Sequence, residues 1–561
     1  MNEKTQKLYL NGNIFTGDRN DSRQEAIVTE GDKIAFVGSN EDARKFVKDE
    51  TNAVDLQGAF VMPGLIDSHC HAFSMGAIQV LHVQLMEAQS YDEIIETIRI
   101  YVAENPDKDI YHGFGWYNGF FENGMPTADI LDDIIPDKPA VMRSVDGHSL
   151  WVNSNLLEFA GITSETPDPE GGHIEHYPDG RPNGCFRDQA QNLIFEAIEA
   201  ISDFTKEEYM DSIIFSQNLY ASLGYTSYYE ATMNDSGSKG AVDAYYELDK
   251  KGLLKETVRS SFLVDPLAGD VMAELDKAMQ WHDKTKGGRF EVTDVKIYID
   301  GVVEGRTAYL LEGYSDEPDY KGVTRWDTDE LKEQLVQVIA RANEYGMSCH
   351  FHVIGDGAVK DALDAIEKAQ KITGRNDCRN ILTHLQVVRP EDIRRAAELN
   401  VITALNPWGY KQPGYYNEIE VPYLGDRVAK EYPYRKFLDA GTILTAATDF
   451  PAGQDVDPLA NMQIYATRQK NGNPETLLGP EEALDMKTVI DMFTGNAAYL
   501  CKSEKETGKL KAGMNADFIV LDNDITAIDP NEIEKTNRLL TVANGEVLFN
   551  IKDYIGGELN E

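Results

Sequence analysis

The sequence predicts an α/β chain built as a (β/α)₈ barrel, with a small separate sheet drawn from both termini. Three observations lead there. The first is the stretch Ala59–Ala72, AFVMPGLIDSHCHA, an apolar run that ends in two histidines. The second is a long middle in which apolar segments of strand length alternate with amphipathic helical ones, the pattern of successive βαβ units. The third is a pair of β-rich ends.

Residues 7–58 read as short strands broken by turns: KLYLNGNIFTG, AIVTEGDKIAFVG, then AVDLQG. Asn11-Gly12 and Glu30-Gly31-Asp32 separate alternating apolar residues, which is a hairpin signature. KLKAGMNADFIVLD (509–522) and RLLTVANGEVLFN (538–550) repeat the pattern, so the two ends are expected to pair. In the middle, candidate strands are Phe60–Asp67, Tyr225–Ala231, Thr257–Val264, Val292–Ile299, Met347–Val353, Asn380–His384, Val401–Leu405 and Ile443–Thr448. Helical stretches such as Thr328–Tyr345, Ala358–Thr373 and Arg389–Asn400 fill most gaps. Eight strands with helices between them is the barrel count. Residues 72–224 are too long for one connecting helix and form an insertion. The expected domains are 1–58 and 499–561 for the terminal sheets and 59–498 for the barrel with its insertion.

Of 561 residues, 42% are hydrophobic and 26% charged, which suits a globular protein rather than a disordered one. A formal net charge of −42 repels phosphates, so a nucleic-acid partner is not expected. The five cysteines are scattered and form no CxxC, so neither a disulfide framework nor a cysteine-rich zinc site is indicated. MNEKTQKLYLNGNIFTG holds no apolar signal core, and no later span is long and apolar enough for a membrane helix. A cytoplasmic location without a membrane partner is the expectation.

Strand parity gathers the chemistry. Side chains alternate along a strand, so His69 and His71 leave from one side of the Phe60–Asp67 strand end. An isolated H-x-H is equally two surface histidines on a loop. In DVKIYID, Lys296 shares a face with Asp294, Tyr298 and Asp300, while Val295, Ile297 and Ile299 face the helices. His350 and His352 share a face in SCHFHVIGD, His384 closes ILTH, and Asp449 follows ILTAAT. Metal-capable side chains thus gather at strand C-terminal ends, where barrel enzymes carry their active sites.

These motifs, PGLIDSHCH, MRSVDGHSLWVNS, VKIYIDG, HVIGDGA, LTHLQ, TDFP and TGNAAYL…GKLKAGMNADFIVLD, resemble the metal-dependent amidohydrolase superfamily. Within it they are similar to the branch of N-substituted formamide deformylases, also called amidohydrolase family 3. The resemblance covers nearly the whole chain. It implies a distorted (β/α)₈ (TIM) barrel plus a β-sandwich made by both termini. It implies that His69 and His71 hold a first, more buried metal with Asp449, and that His352 and His384 hold a second. It implies one or two divalent ions, zinc foremost, and allows a carbon dioxide-derived carbamate on Lys296 to bridge them. Asp449 would shuttle the proton of a metal-activated hydroxide, and His148 would stand near the substrate carbonyl or leaving group.

The expected reaction is cleavage of a C–N bond of amide, N-acyl or N-formyl type in a small molecule. Hydrolysis of an ester, lactone or cyclic amide, or deamination of a heterocycle, would use the same site. A metal-stabilised regulatory protein without turnover is the reading from another class. Single residues also have plainer readings. Lys296 could pair with Asp294 or Asp300, Asp449 could cap a helix, and His148 could be a hydrogen-bonded loop residue. His350 is read as an inward packing residue or a neighbour of the ligands, and Cys70 as a buried small residue. Trp116, Tyr117, Phe120, Phe121, Trp151 and Trp408 are read as core or as the wall of an apolar pocket. A homodimer is the default assembly.

Overall fold

The computed structural model describes residues 6–551 and Tyr554, apart from 19–22, 48–52, 122–123, 146, 148, 170–171, 189, 202–203, 235–237, 413, 454 and 552–553. The chain forms two compact units, Met1–Ala72 with Gln217–Met233 and Tyr246–Glu561, and Phe73–Ser216 with Asn234–Tyr245.

The first unit contains an eight-stranded parallel sheet. Its strands are β1 (Leu65–Cys70), β2 (Tyr225–Met233), β3 (Thr257–Leu263), β4 (Phe290–Tyr298), β5 (Ser348–Val353), β6 (Ile381–His384), β7 (Ile402–Leu405) and β8 (Ile443–Ala446). Each pairs with the next in chain order, as a barrel requires. Strands β2 to β8 lie where the sequence pattern predicts them, to within about two residues at each end. Both faces of these strands are buried, which is why they read as near-continuous apolar runs.

Helices occupy the gaps for local reasons. Asp329–Tyr345 starts at Thr328, whose hydroxyl accepts the Leu331 N–H at 3.1 Å, and stops at Gly346, which takes φ +96°. Asp356–Thr373 and Pro390–Glu398 fill the next two gaps, each close to its predicted span.

The sequence-predicted first strand is in fact two. Phe60–Pro63 joins a six-stranded sheet in which it runs antiparallel to Phe518–Leu521. β1 begins at Leu65, and Gly64 makes the corner between them. A Cβ at Gly64 would lie 2.2 Å from the Thr226 hydroxyl and 2.3 Å from its methyl, so only glycine lets the two strands separate there. The split is invisible in sequence because Phe60–Cys70 is buried throughout, leaving no change of period at Gly64. The rest of that sheet comes from Asn13–Phe15, Arg23–Gln24, Arg538–Ala543 and Glu546–Asn550. A four-stranded sheet of Lys33–Gly38, Ala26–Glu30, Gln6–Leu10 and Ala53–Asp55 completes the terminal layer. One apolar core, including Tyr9, Ile27, Val61, Phe518 and Val520, serves both sheets.

The second unit, from the insertion, carries its own sheet ordered Gly172–His176, Pro182–Asp188, Ser149–Val152, Ala140–Ser144, Tyr111–Trp116 and Val83–Gln84. Trp116, Phe121 and Trp151 form its core, and the two indole N–H groups donate to the Met142 and Thr127 carbonyls. These three aromatics are therefore core, not pocket wall. Tyr117 is 40% exposed and stacks edge-on with Phe120. Among the described residues no helix is long and apolar enough to cross a membrane.

Gly64→Ala should destabilise the protein by about 1–3 kcal/mol through overpacking against Thr226. A urea unfolding midpoint below that of the wild type, with unchanged slope, would show it; an unchanged midpoint would contradict the corner assigned to Gly64.

Candidate metal centre

The expected ligands converge at the C-terminal ends of five barrel strands. His69 closes β1 and is fully buried, and His71 follows one residue past the strand end. Their Nε2 atoms lie 3.2 and 3.3 Å from the same oxygen, Asp449 Oδ1. His69, His71 and Asp449 offer three ligand atoms within 4.8 Å of one another. His384, at the end of β6, has its Nδ1 4.0 Å from the other Asp449 oxygen. Its ring lies 5.1 Å from that of His69 and 4.4 Å from that of His352, on β5.

Lys296 is fully buried on β4, in register with His350, while Tyr298 is in register with His352. Its Nζ sits 4.9 Å from the Tyr298 ring centroid, and its charge helps depress the pKa of His69, His352 and His384. The carboxylates once considered as its partners are engaged elsewhere. Asp294 accepts from the Tyr229 hydroxyl at 2.6 Å and the Ser348 N–H at 3.2 Å, and Lys502 pairs with it at 3.2 Å. Asp300 accepts the N–H groups of Tyr309, Ile354 and Gly355 at 2.9, 3.0 and 2.9 Å.

Burial keeps most of these imidazoles neutral. It drives the pKa of His69 and His384 well below the usual 6.5, and that of His352 down to about 3. Burial is the largest single influence on His71 and lowers its pKa, but the hydrogen bond to Asp449 together with the charges of Asp449 and Glu230 makes the net shift upward. Asp449 resists burial in the same way: hydrogen bonds from His69 and His71 hold its carboxyl well below its usual range.

The geometry suits a metal. His384 Nε2 is buried without a hydrogen-bond partner, which costs about 1–3 kcal/mol unless a ligand uses the lone pair, while His69 Nε2 and His352 Nδ1 face only a carboxylate oxygen, of Asp449 at 3.2 Å and of Asp300 at 3.5 Å. Nitrogen and carboxylate donors together fit zinc or a similar divalent ion. The opposite ring nitrogens are fixed from behind, as ligating histidines require. His69 Nδ1 lies 2.7 Å from His350 Nε2, which Thr383 Oγ1 approaches to 2.6 Å. His384 Nδ1 lies 2.8 Å from Asn406 Oδ1.

The seam between β8 and β1 holds these ligands in place. Among the described residues no ladder joins the two strands. Instead Asp67 accepts both the Thr448 N–H, at 3.1 Å, and its hydroxyl, at 2.6 Å. The Asp449 N–H donates to the His69 carbonyl, and the His71 N–H to that of Phe450, both at 2.8 Å. Burial lifts the pKa of Asp67 to about 7 despite these bonds. His384 and Asp449 adopt left-handed backbone angles, φ +77° and +58°, strain of the kind that functional sites hold.

Other expectations divide. Asp449 caps no helix; the helix Pro458–Thr467 is capped by Asp457. Cys70 is buried with its thiol directed at the Tyr229 carbonyl. Trp408 stacks on His384, with ring centroids 5.9 Å apart and planes 3° from parallel. His148 lies outside the described residues. Its neighbour Asn153 is structural, bonded to Ala140, Ile135 and Lys138. Sequence reasoning missed Asp67, Thr448 and Asn406. Asp67 shares the face of His69 two residues earlier, a signal that was available.

A model of the amidohydrolase family matches residues 52–549. The chain belongs to the amidohydrolase family. The putative amidohydrolase YtcJ of Bacillus subtilis is 31% identical over 553 residues, covering 97% of this chain and 99% of its own. The N-substituted formamide deformylase of Arthrobacter pascens is 24% identical, covering 98% and 99%. An uncharacterised metal-dependent hydrolase from Pyrococcus horikoshii superposes with a TM-score of 0.76 at 25% identity, covering 94% of this chain and all of its own. As expected from its motifs, this amidohydrolase is a metal-dependent enzyme that hydrolyses C–N bonds.

Asp67→Ala should cost about 2–3 kcal/mol, because it removes charge-assisted bonds and leaves a buried N–H unsatisfied. Denaturation of the metal-free variant measures this directly; a wild-type midpoint would refute the role of the seam.

Proposed function

We propose that this amidohydrolase removes the acyl group, formyl or larger, from the nitrogen of a small N-substituted amide. The observation that carries the proposal is the convergence of His69, His71 and Asp449 beside the rings of His352 and His384, with His384 Nε2 left without a hydrogen-bond partner. His69, His71 and Asp449 would hold one divalent ion, zinc by its donor set, and His352 and His384 a second. Lys296, buried on β4 in register with His350, would be the residue to carry a carbon dioxide-derived carbamate as a further ligand. Bound there, such ions polarise a carbonyl and lower the pKa of water enough for attack at neutral pH. Asp449, kept ionised by His69 and His71, would accept the proton of the attacking water and pass it to the leaving nitrogen. The ring of Trp408, stacked on His384, would border the space for the substrate. The deformylase relative supports the choice of an N-acyl bond. The five cysteines are free and buried, in keeping with the reducing cytoplasm expected from the sequence.

Elemental analysis of the purified protein beside Lys296→Ala tests the metal assignment. About two ions per chain, falling in the variant, are expected; about one, unchanged in the variant, would make Lys296 structural. In assays of N-substituted formamides and acetamides, Asp449→Asn should lower kcat by about 10²–10⁴-fold. A variant with full activity would remove Asp449 from proton transfer.

A further inference from the structure

Beyond the candidate ligands, the end of β6 leads to a second polar cluster. Gln386, two residues after His384, is buried, and its side-chain amide donates to two carboxylates, Glu420 Oε1 at 3.2 Å and Glu431 Oε1 at 2.5 Å. Its carbonyl accepts the Tyr432 N–H at 3.1 Å, which fixes it beside Glu431. Glu420 is 5% exposed and Glu431 2%. Glu304, on the exposed loop after β4, accepts a hydrogen bond from Tyr415 at 2.8 Å and adds its charge to that felt by Glu420.

Among the described residues no cationic side chain lies within ion-pair distance of either carboxylate. The charge of Arg468 favours the ionised form of Glu431, but its N–H groups are spent on the main-chain carbonyls of Glu431, Tyr432 and Leu478. Glu431 Oε2 is buried without any hydrogen-bond partner. Buried carboxylates are ordinarily paired or fully bonded. Both donors of the Gln386 amide are already in use, so a partner for Glu431 Oε2 brings its own N–H or O–H groups, and a positive charge on it offsets the charge of the pair.

We propose that Glu420 and Glu431, bridged by Gln386, form a subsite for an ammonium group on the substrate. The proposal rests on the hydrolase reading above and narrows it to amides that carry a second, basic nitrogen. Three features favour an organic ammonium over a metal ion. The amide nitrogen of Gln386 bonds to both Oε1 atoms, and it has donors but no lone pair to offer a metal. An ammonium has three N–H donors, enough to reach Glu431 Oε2 and still bond elsewhere. Aromatic rings also run continuously from the metal centre to the cluster: Trp408 stacks on His384 and meets Tyr432 edge-on at 6.3 Å, next to Glu431. A cationic group beside such rings gains further attraction. Burial, and then each carboxylate's neighbouring charge, pushes both groups upward in pKa, Glu420 to about 7, a tension that a bound cation relieves.

The test is calorimetric titration of the metal-loaded, full-length protein with N-acetyl diaminoalkanes of increasing chain length, each beside the N-alkylacetamide of equal length. At least one diamine derivative should bind roughly tenfold or more tightly than its neutral counterpart. Glu431→Gln and Glu420→Gln should each abolish that preference. Glu330→Gln, on the exposed face of Asp329–Tyr345, should leave it intact and control for the overall negative charge. Thermal melts of the two cluster variants guard against misfolding, since glutamine keeps the shape of the side chain. Equal binding of charged and neutral probes, no binding of either, or a preference that survives both substitutions would overturn the subsite. Hydrolysis of the same probes is followed separately: a charge preference without turnover would retain the subsite and remove the amide reading instead.

Discussion

The candidate centre depends on how the barrel closes. Seven of the strand neighbours are joined by parallel ladders, but β8 and β1 are joined by the carboxylate of Asp67 and two main-chain bonds. Those few bonds place Asp449 across from His69 and His71. A regular ladder at this position would continue both strands and direct Asp449 away from the imidazoles. Closing the seam with a buried side chain lets the chain turn sharply after Thr448, and the turn carries the carboxylate inward. The strained φ of Asp449 is the local cost, about 1–3 kcal/mol for such a residue.

Once the seam is set, burial does the rest. Imidazoles and a lysine enclosed by apolar strands lose access to water, and protonation of the histidines becomes unfavourable. Neutral imidazoles with fixed far-side hydrogen bonds are poor bases for protons and good ones for metal ions. His350 and Asn406 never touch Asp449 in the described contacts, yet they decide which nitrogen of His69 and His384 faces the centre.

Much of this was legible in the sequence because a barrel converts parity into position. A residue's place along a strand fixes the face it takes, and its distance from the strand end fixes its height in the barrel. That is why Lys296, His352 and His384 could be brought together from short stretches of text. The partition of Phe60–Cys70 was not legible, since strands buried on both faces carry no periodic mark where one ends. His350 was read as a neighbour of the ligands, but its pairing with His69 was not legible, nor was that of Asn406 with His384. His350 is 281 positions from His69 and Asn406 is 22 from His384, and only the fold brings them into contact. The aromatics of the insertion misled for a related reason: a tryptophan in a core and one lining a cavity look alike in sequence, and Trp116 and Trp151 are core.

The corner at Gly64 ties the barrel to the order in which the chain is made. Phe60–Pro63 runs directly into the strand that bears His69, but its antiparallel partner, Phe518–Leu521, follows only after the whole barrel. The first strand of the barrel therefore emerges long before the C-terminal half of the sheet that anchors its entrance. Until Phe518–Leu521 is made, Phe60–Pro63 can pair on one side only, with Asn13–Phe15, and its other apolar edge stays open, the condition under which nascent chains associate or call on chaperones.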